Sequence, residues 1–340
     1  MTNSKRQTIS IIMPAYNAAN LLPRVLAPLI EMRDKGEVEE IIVVDDVSSD
    51  NTVEVAENLG ARVISMPVNS GPGAARNYAA QHSQGDILWF VDSDVIAWPD
   101  GAQRVRDAFV SGEYAAVFGS YDELPDGTPW FSRYKNLTHR FYHQNAQRNA
   151  ETWWAGCGAI SADMFRKVGG FDVETYRVPS IEDIELGYRI NETGGKILLE
   201  PELQGKHLKV WTVRNSIYTD IFCRALPWSR LMIARENVTN DLNTGTMERL
   251  RAGFAGLFIL SIILSALMFS TFWPLALALL ATIFFLNIRL FIFFVQTGGV
   301  LFAIACLLYH QLYYVYSAAA FTWCLFEYHV LGRRTRFHVS

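Results

Sequence analysis

The chain has 340 residues with a formal net charge of −4; half of them are hydrophobic and 19% are charged. That length holds a full α/β core plus an appendage, and the slight acidity excludes the basic balance of a nucleic-acid binder. Four cysteines (Cys157, Cys223, Cys306 and Cys324) without paired spacing exclude a disulfide framework.

Met1–Gln7 is polar and leads directly into an apolar run, so no cleavable signal peptide is expected. Ile9–Met13 predicts a first strand, followed after Pro14 by a helix over about Leu21–Arg33. Glu40–Val44 reads as a second strand ending at Asp45-Asp46, then a helix over about Thr52–Leu59 and a third strand at Arg62–Ser65. Gly71-Pro72-Gly73 opens a helix to about His82, Ile87–Val91 is a strand ending on Asp92, and Ala115–Phe118 is a fifth. Such alternation of short apolar runs with helix-period segments is what a parallel sheet with crossover helices requires.

Composition changes abruptly near residue 252. Ala252–Trp273 carries no charge, Pro274–Val295 carries only Arg289, and Gly299–Phe326 is again uncharged. Runs of this length match the roughly 20 residues that span a bilayer core, so the chain is read as a membrane protein with two to three spans over 252–327. Arg249 and Arg251, just before the first run, fit a cytoplasmic flank under the positive-inside rule. Three full crossings would put Arg333, Arg334 and Arg336 of the basic tail (328–340) outside, against the rule, unless one run is re-entrant or interfacial. The sequons at Asn136, Asn191 and Asn237 carry no meaning in a cytoplasmic setting.

Asp92-Ser93-Asp94 closes an apolar strand. Two carboxylates there are costly unless neutralised, and a hard divalent cation bridging to a diphosphate does so. Turn and cap chemistry is the plain alternative. Ligands bind at the carboxyl ends of strands in open α/β sheets, and Asp45, Asp46, Asp92 and Asp94 all fall on that edge.

Taken together, Ser10–Asn17 (SIIMPAYN), Val43–Asp50 (VVDDVSSD), Gly71–Asn77 (GPGAARN), Asp92–Asp94, Val168–Asp172 (VGGFD) and Glu182–Arg189 (EDIELGYR) resemble the family-two glycosyltransferases of the GT-A fold, in membrane-bound bacterial form. The resemblance covers about residues 8–235. It implies a GT-A, Rossmann-like nucleotide-binding domain of the α/β class over 1–235, a linker over 236–251 and a C-terminal α-helical transmembrane segment.

The resemblance also implies roles. Pro14, Tyr16 and Asn17 frame a nucleoside, Asp46 accepts from the base, and Asp45 orients ribose or loop; helix capping is the alternative for both aspartates. Arg76, in the first turns of a glycine-opened helix, suits a phosphate. Asp94 is the first metal ligand for Mg²⁺ or Mn²⁺, with Asp92 and Ser93 toward donor or metal and His207 completing the coordination. Asp183 is the expected catalytic base, with Glu182 raising its proton affinity, and a single base implies inversion. Gly156 and Trp154 belong to the sugar and acceptor loop, core packing being the alternative for one of Trp153 and Trp154.

The Gln-x-x-Arg-Trp motif of processive polysaccharide synthases is replaced by Arg224-Ala-Leu-Pro-Trp228, which leaves Arg224 for the diphosphate and Trp228 for the acceptor. Residues 217–233 read as an amphipathic helix at the membrane surface. The expectation is a metal-dependent, inverting glycosyltransferase at the cytoplasmic (inner) membrane. It would move a sugar from a nucleotide donor, UDP-linked by preference, onto a polyprenyl phosphate or other membrane lipid, without nucleic acid as partner. A processive synthase and a non-catalytic nucleotide-binding scaffold are the rivals.

Overall fold

A computed structural model describes residues 6–127, 129–236, 240–267 and 272–334; the expectations for Met1–Lys5, the Asn237 sequon and Arg336 lie outside the described residues. The chain forms two compact units, residues 1–128 with 142–210 and residues 129–141 with 211–340.

The first unit is a mixed sheet. Its strands are β1 (Ile9–Ala15), β2 (Glu40–Asp45), β3 (Arg62–Ser65), β4 (Ile87–Val91), β5 (Val95–Ala97), β6 (Ala116–Tyr121), β7 (Asn149–Ala150), β8 (Cys157–Ser161) and β9 (Ile197–His207). The spatial order is β3-β2-β1-β4-β8-β6-β9-β5, with β7 also paired to β9. Strands β3, β2, β1 and β4 are parallel, joined by helices α1 (Leu22–Asp34), α2 (Thr52–Asn58) and α3 (Gly71–His82). Strand β8 then enters antiparallel between β4 and β6. The five expected strands, β1, β2, β3, β4 and β6, therefore all run in the same direction, and the unexpected feature is β8 inserted between β4 and β6 in the opposite one. Short apolar runs buried on both faces carry no sign of strand direction, which is why the reversal is invisible in the sequence.

Each face of the sheet carries one apolar cluster. Ile9, Ile11, Met13 and Ala15 of β1 point to the side packed with α1 and α4 (Gly101–Val110), whereas Ile12 joins the opposite cluster. That second cluster includes Ala75 and Ala79 of α3, with Leu186 and Ile190 from a later helix. Period-two alternation in fully buried strands produces this division.

The second unit is helical. Helix α5 (Trp130–Asn145) begins in it and runs on into the first unit, where α6 (Ala162–Lys167) and α7 (Glu182–Glu192) follow. The amphipathic stretch expected over 217–233 is segmented into α8 (Val213–Tyr218), a π-helical stretch (Thr219–Ala225) and α9 (Leu226–Ala234). Pro227 has no N–H to donate, so the backbone ladder reorganises just ahead of it. Helices α10 (Thr246–Leu267), α11 (Trp273–Leu286), α12 (Ile288–Gly298) and α13 (Val300–His329) complete the unit. By length and composition α10 and α13 can each cross a bilayer, while α11 and α12 qualify only as a pair bent by 70°.

Candidate active site

Strand ends bring the acidic residues together as expected, and the register explains how. The chain turns after β4, where the Val95 N–H donates to the Asp92 carbonyl at 2.9 Å. Antiparallel pairing of Val95 with His207 then sets the preceding Asp94 beside the imidazole. Asp94 Oδ2 lies 3.4 Å from His207 Nε2. Burial works to raise the Asp94 carboxyl, but His207 and Lys209 outweigh it and hold the group below the usual carboxylate range. His207 itself is buried and stacks on Tyr121 at 4.3 Å, and Tyr121 meets the edge of Trp154 at 4.9 Å. Tyr121 has no precedent in the motif reading; its only sequence signal is its place at the end of an apolar strand.

Arg76, expected to suit a phosphate, is held by carboxylates. It is buried, its Nη2 donates to Asp92 Oδ1 at 2.5 Å, and its Nη1 lies 3.7 Å from Glu182 Oε1. Burial alone would depress the guanidinium, yet Asp92 and Glu182 hold its pKa above the ordinary value. Its Nε is buried without a hydrogen-bond partner among the described residues. The Val168–Asp172 motif supports this placement. Gly169 and Gly170 take φ of +80° and +72°, a backbone region that glycine enters freely. Asn77 then clamps Phe171 through two 2.8 Å hydrogen bonds, and the Phe171 ring sits 5.4 Å from the Arg76 guanidinium carbon.

Glu182 and Asp183 open α7. Glu182 accepts from the Ser180 N–H at 2.7 Å, a local bond to the loop just before the helix. Asp183 accepts from the N–H groups of Ala155 at 3.2 Å and Ile184 at 2.9 Å. Burial pushes its carboxyl up to about 7, with the Glu182 charge adding to the rise and Ala155 and Arg76 offsetting part of it. The Ala155 bond ties Asp183 to the loop before β8, and Gly156 O of that loop accepts from the Asp92 N–H at 3.2 Å. Trp153 is the core member of its pair, donating from Nε1 to the Val117 carbonyl at 3.0 Å, while Trp154 is only partly buried and lies over Gly156.

At the β1 and β2 ends, Pro14 is buried in its strand and Tyr16 is 56% exposed, so the ring is available to stack. Asn17 instead stitches two loops, accepting from Ser49 N at 2.7 Å while its own N–H donates to Ser48 Oγ at 2.9 Å. Asp45 accepts from the Ser48 N–H at 3.2 Å. Asp46 accepts from Ser70 N and Gly71 N, both at 2.8 Å, so it caps α3 rather than the nearer α2. Between these anchors Val47 sits at φ +64°, a costly conformation for a β-branched residue. Ser93 is partly buried in the turn between Asp92 and Asp94. Arg224 and Trp228 belong to the second unit, on the π-helical stretch and on α9, and Trp228 is buried there.

Asp94 and His207 suit a divalent cation by chemistry and spacing. Among the described residues no group of three or more His, Cys, Asp or Glu is placed to hold a metal ion, so Asp94 and His207 stand as a pair.

Comparison with known proteins finds similarity to glycosyltransferases. A validoxylamine A glucosyltransferase of Streptomyces hygroscopicus subsp. jinggangensis is 29% identical over 231 residues, covering 58% of this chain and 54% of the relative. A pre-mycofactocin glycosyltransferase of Mycobacterium tuberculosis is 29% identical over 227 residues, covering 62% of this chain and 46% of the relative. The chain thus spans about half the length of these curated relatives. Among solved structures, a mannosyltransferase of Pyrobaculum calidifontis in complex with GDP-Man and Mn²⁺ superposes with a TM-score of 0.51 at 17% identity, covering 94% of this chain and 88% of that one. Residues 10–169 match the glycosyl transferase family 2. Residues 10–169 thus form a domain similar to glycosyl transferase family 2, on a fold shared with the solved mannosyltransferase.

Proposed function

We propose that the protein is an inverting glycosyltransferase, moving one sugar from a nucleotide donor, UDP-linked by preference, onto a membrane lipid at the cytoplasmic face of the inner membrane. The observation that carries this reading is Asp183, a carboxyl poised at about 7 and tied through Ala155 to the loop beside Asp92. A base of that strength is matched to an acceptor hydroxyl at neutral pH. The same observation favours a hydroxyl-bearing lipid over a polyprenyl phosphate, whose attacking oxygen is already deprotonated. The apolar helices α10 and α13 support a lipid acceptor, and the glucosyl- and glycosyltransferase names of the relatives support sugar transfer.

Tyr16 offers its exposed ring to the base, while Asp45 and Asn17 hold the loops that border the nucleoside. Asp94 and His207 would hold Mg²⁺ or Mn²⁺, whose chemistry when bound is to neutralise the donor diphosphate. Asp183 takes the proton from the acceptor oxygen as that oxygen attacks the anomeric carbon and the nucleoside diphosphate leaves. A single displacement inverts the configuration. Trp154 presents an aromatic face to the sugar or acceptor.

The test is donor turnover by purified protein in lipid. UDP-, GDP- and dTDP-sugars with Mn²⁺ are supplied together with either undecaprenyl phosphate or a total lipid extract. A labelled, lipid-soluble product that requires metal and is lost in Asp183→Asn is the expected result. Tight nucleotide binding without turnover of any donor would favour a non-catalytic scaffold instead.

A further inference from the structure

Helix α13 is inside out. Leu301, Ile304, Leu308, Leu312, Trp323 and Phe326 are exposed, whereas His310, Gln311, Tyr314 and Glu327 are buried. The exposed apolar residues recur at helical spacing and form one stripe. Its buried side is tied along its length to polar elements of the same unit. Tyr134 of α5 bonds His310 Nδ1 at 2.8 Å, and Arg133 donates to the Thr297 carbonyl at 2.7 Å while stacking over Phe302. The Tyr316 hydroxyl donates to Asp220 at 2.8 Å, and Asp220 also pairs with Lys135 of α5. Near the other end, Arg230 of α9 pairs with Glu327 at 3.0 Å, and Arg333 joins it at 3.6 Å.

These partners fix the depth of the helix. The chain leaves the sheet unit after residue 128 and returns at 142, so the intervening segment, with Arg133, Lys135 and Arg140, cannot cross a bilayer. Phe302 and Glu327 are about 37 Å apart along the helix at about 1.5 Å per residue, more than the ~30 Å of a hydrocarbon core. If α13 crossed, Arg230 and α9 would have to reach the far side. Residues 213–234 would then cross beside it with Arg214, Asp220, Arg224 and Arg230, against the cost of charge in lipid.

Helices α10 and α11 give the entry and return. Arg251 Nε, near the start of α10, donates at 2.9 Å to the Leu286 carbonyl at the end of α11. The Tyr314 hydroxyl donates to Glu248 at 2.6 Å and lies 3.2 Å from Oδ1 of Asn287, at the 70° bend. The hairpin thus brings the chain back to the level at which it entered. Phe294 of α12 then packs on Phe302 of α13, with ring centroids 5.8 Å apart.

We infer that α13 does not span the membrane but lies along its surface, both ends on the side of the sheet unit, with its exposed apolar stripe seated in the lipid acyl boundary. Arg333 and Arg334 then stay on the side of Arg249 and Arg251, which removes the conflict with the positive-inside rule.

The experiment is sidedness labelling of the full-length protein in sealed vesicles with a membrane-impermeant maleimide. Single cysteines replace exposed residues in a Cys223→Ser background: Glu57→Cys on α2, Gln296→Cys before α13 and Arg334→Cys after it. All three are expected to react from the same side. Reaction of either Gln296→Cys or Arg334→Cys from the side opposite Glu57→Cys overturns the inference. Nitroxide depth at Ile304→Cys, Leu312→Cys and Phe326→Cys is the second readout. Equal, shallow immersion is expected, and a depth maximum at position 312 overturns it.

Discussion

Asp183→Asn separates catalysis from helix capping because the two roles give opposite signs. The carboxyl lies at about 7 in the folded protein against an ordinary 3.8. Between those two values the folded chain keeps a proton that the unfolded chain has released, so stability falls as pH rises through that window. The gap corresponds to an upper bound of about 4 kcal/mol at pH 8, at ~1.4 kcal/mol per pH unit. Asparagine removes that cost but can accept only one of the Ala155 and Ile184 N–H bonds well, returning about 1 kcal/mol. The variant is therefore expected to be more stable than the parent at pH 8 by about 1–3 kcal/mol, and no more stable at pH 4. On a hydroxyl-bearing lipid acceptor it should lose about 10²–10⁴ in kcat/KM, the usual worth of a general base. In the parent, activity should rise toward a plateau above about pH 7, with roughly a tenth of it left at pH 6. Denaturant titration at pH 4 and pH 8 beside a pH profile of donor turnover reads both effects. A variant less stable at pH 8, with activity within tenfold of the parent, would refute the reasoning and leave Asp183 as a cap.

Arg76→Gln strands Asp92 and Glu182 and is expected to cost about 3–5 kcal/mol, the range for breaking a buried pair. It also removes a cation that holds Asp183 down, so the acid limb of any residual activity should move above pH 7; an unmoved limb would uncouple the two groups. His207→Ala should weaken Mn²⁺ binding about tenfold or more in the presence of UDP, followed by electron paramagnetic resonance titration, and an unchanged titration would remove it from the metal set. Gly119→Ala would place a Cβ 1.8 Å from the Leu203 carbonyl oxygen, where β6 and β9 shift register. Overpacking there should cost at least about 1–3 kcal/mol, and a denaturation midpoint like the parent's would contradict the close approach.

The strand ends at Asp45 and Asp92 were legible because a buried parallel sheet writes itself as near-continuous apolar runs, each stopped by the first residue that must meet ligand or water. Helix α7 and its two leading carboxylates were legible for a similar local reason: acidic residues favour a helix start. What the chain hides is pairing at a distance. Arg76 and Glu182 are separated by more than a hundred residues, and nothing in either neighbourhood marks the guanidinium as buried rather than offered to phosphate. Asp46 shows the same limit. Proximity in sequence pointed to α2, but the loop turns its carboxylate to the N–H groups of Ser70 and Gly71. Tyr121 was passed over because aromatic residues ending a strand are usually core, and its stacking on His207 depends on the parallel pairing of β6 with β9. The apolar run that became α13 was legible as membrane-associated, whereas its orientation rests on Arg133, Asp220 and Arg230, all distant in sequence.

The Arg76 bridge also constrains how this protein can change by mutation. Because one guanidinium serves both Asp92 and Glu182, the loss of either carboxylate leaves a buried cation partly uncompensated, and loss of the arginine strands both acids. Single steps in the trio are therefore harmful in any background, whatever sugar or acceptor is in use. Loops such as the one bearing Trp154 carry no such debt and are free to vary. New donor and acceptor preferences should accordingly arise at the rim, one substitution at a time, while the charged trio passes unchanged between descendants or is lost together with activity.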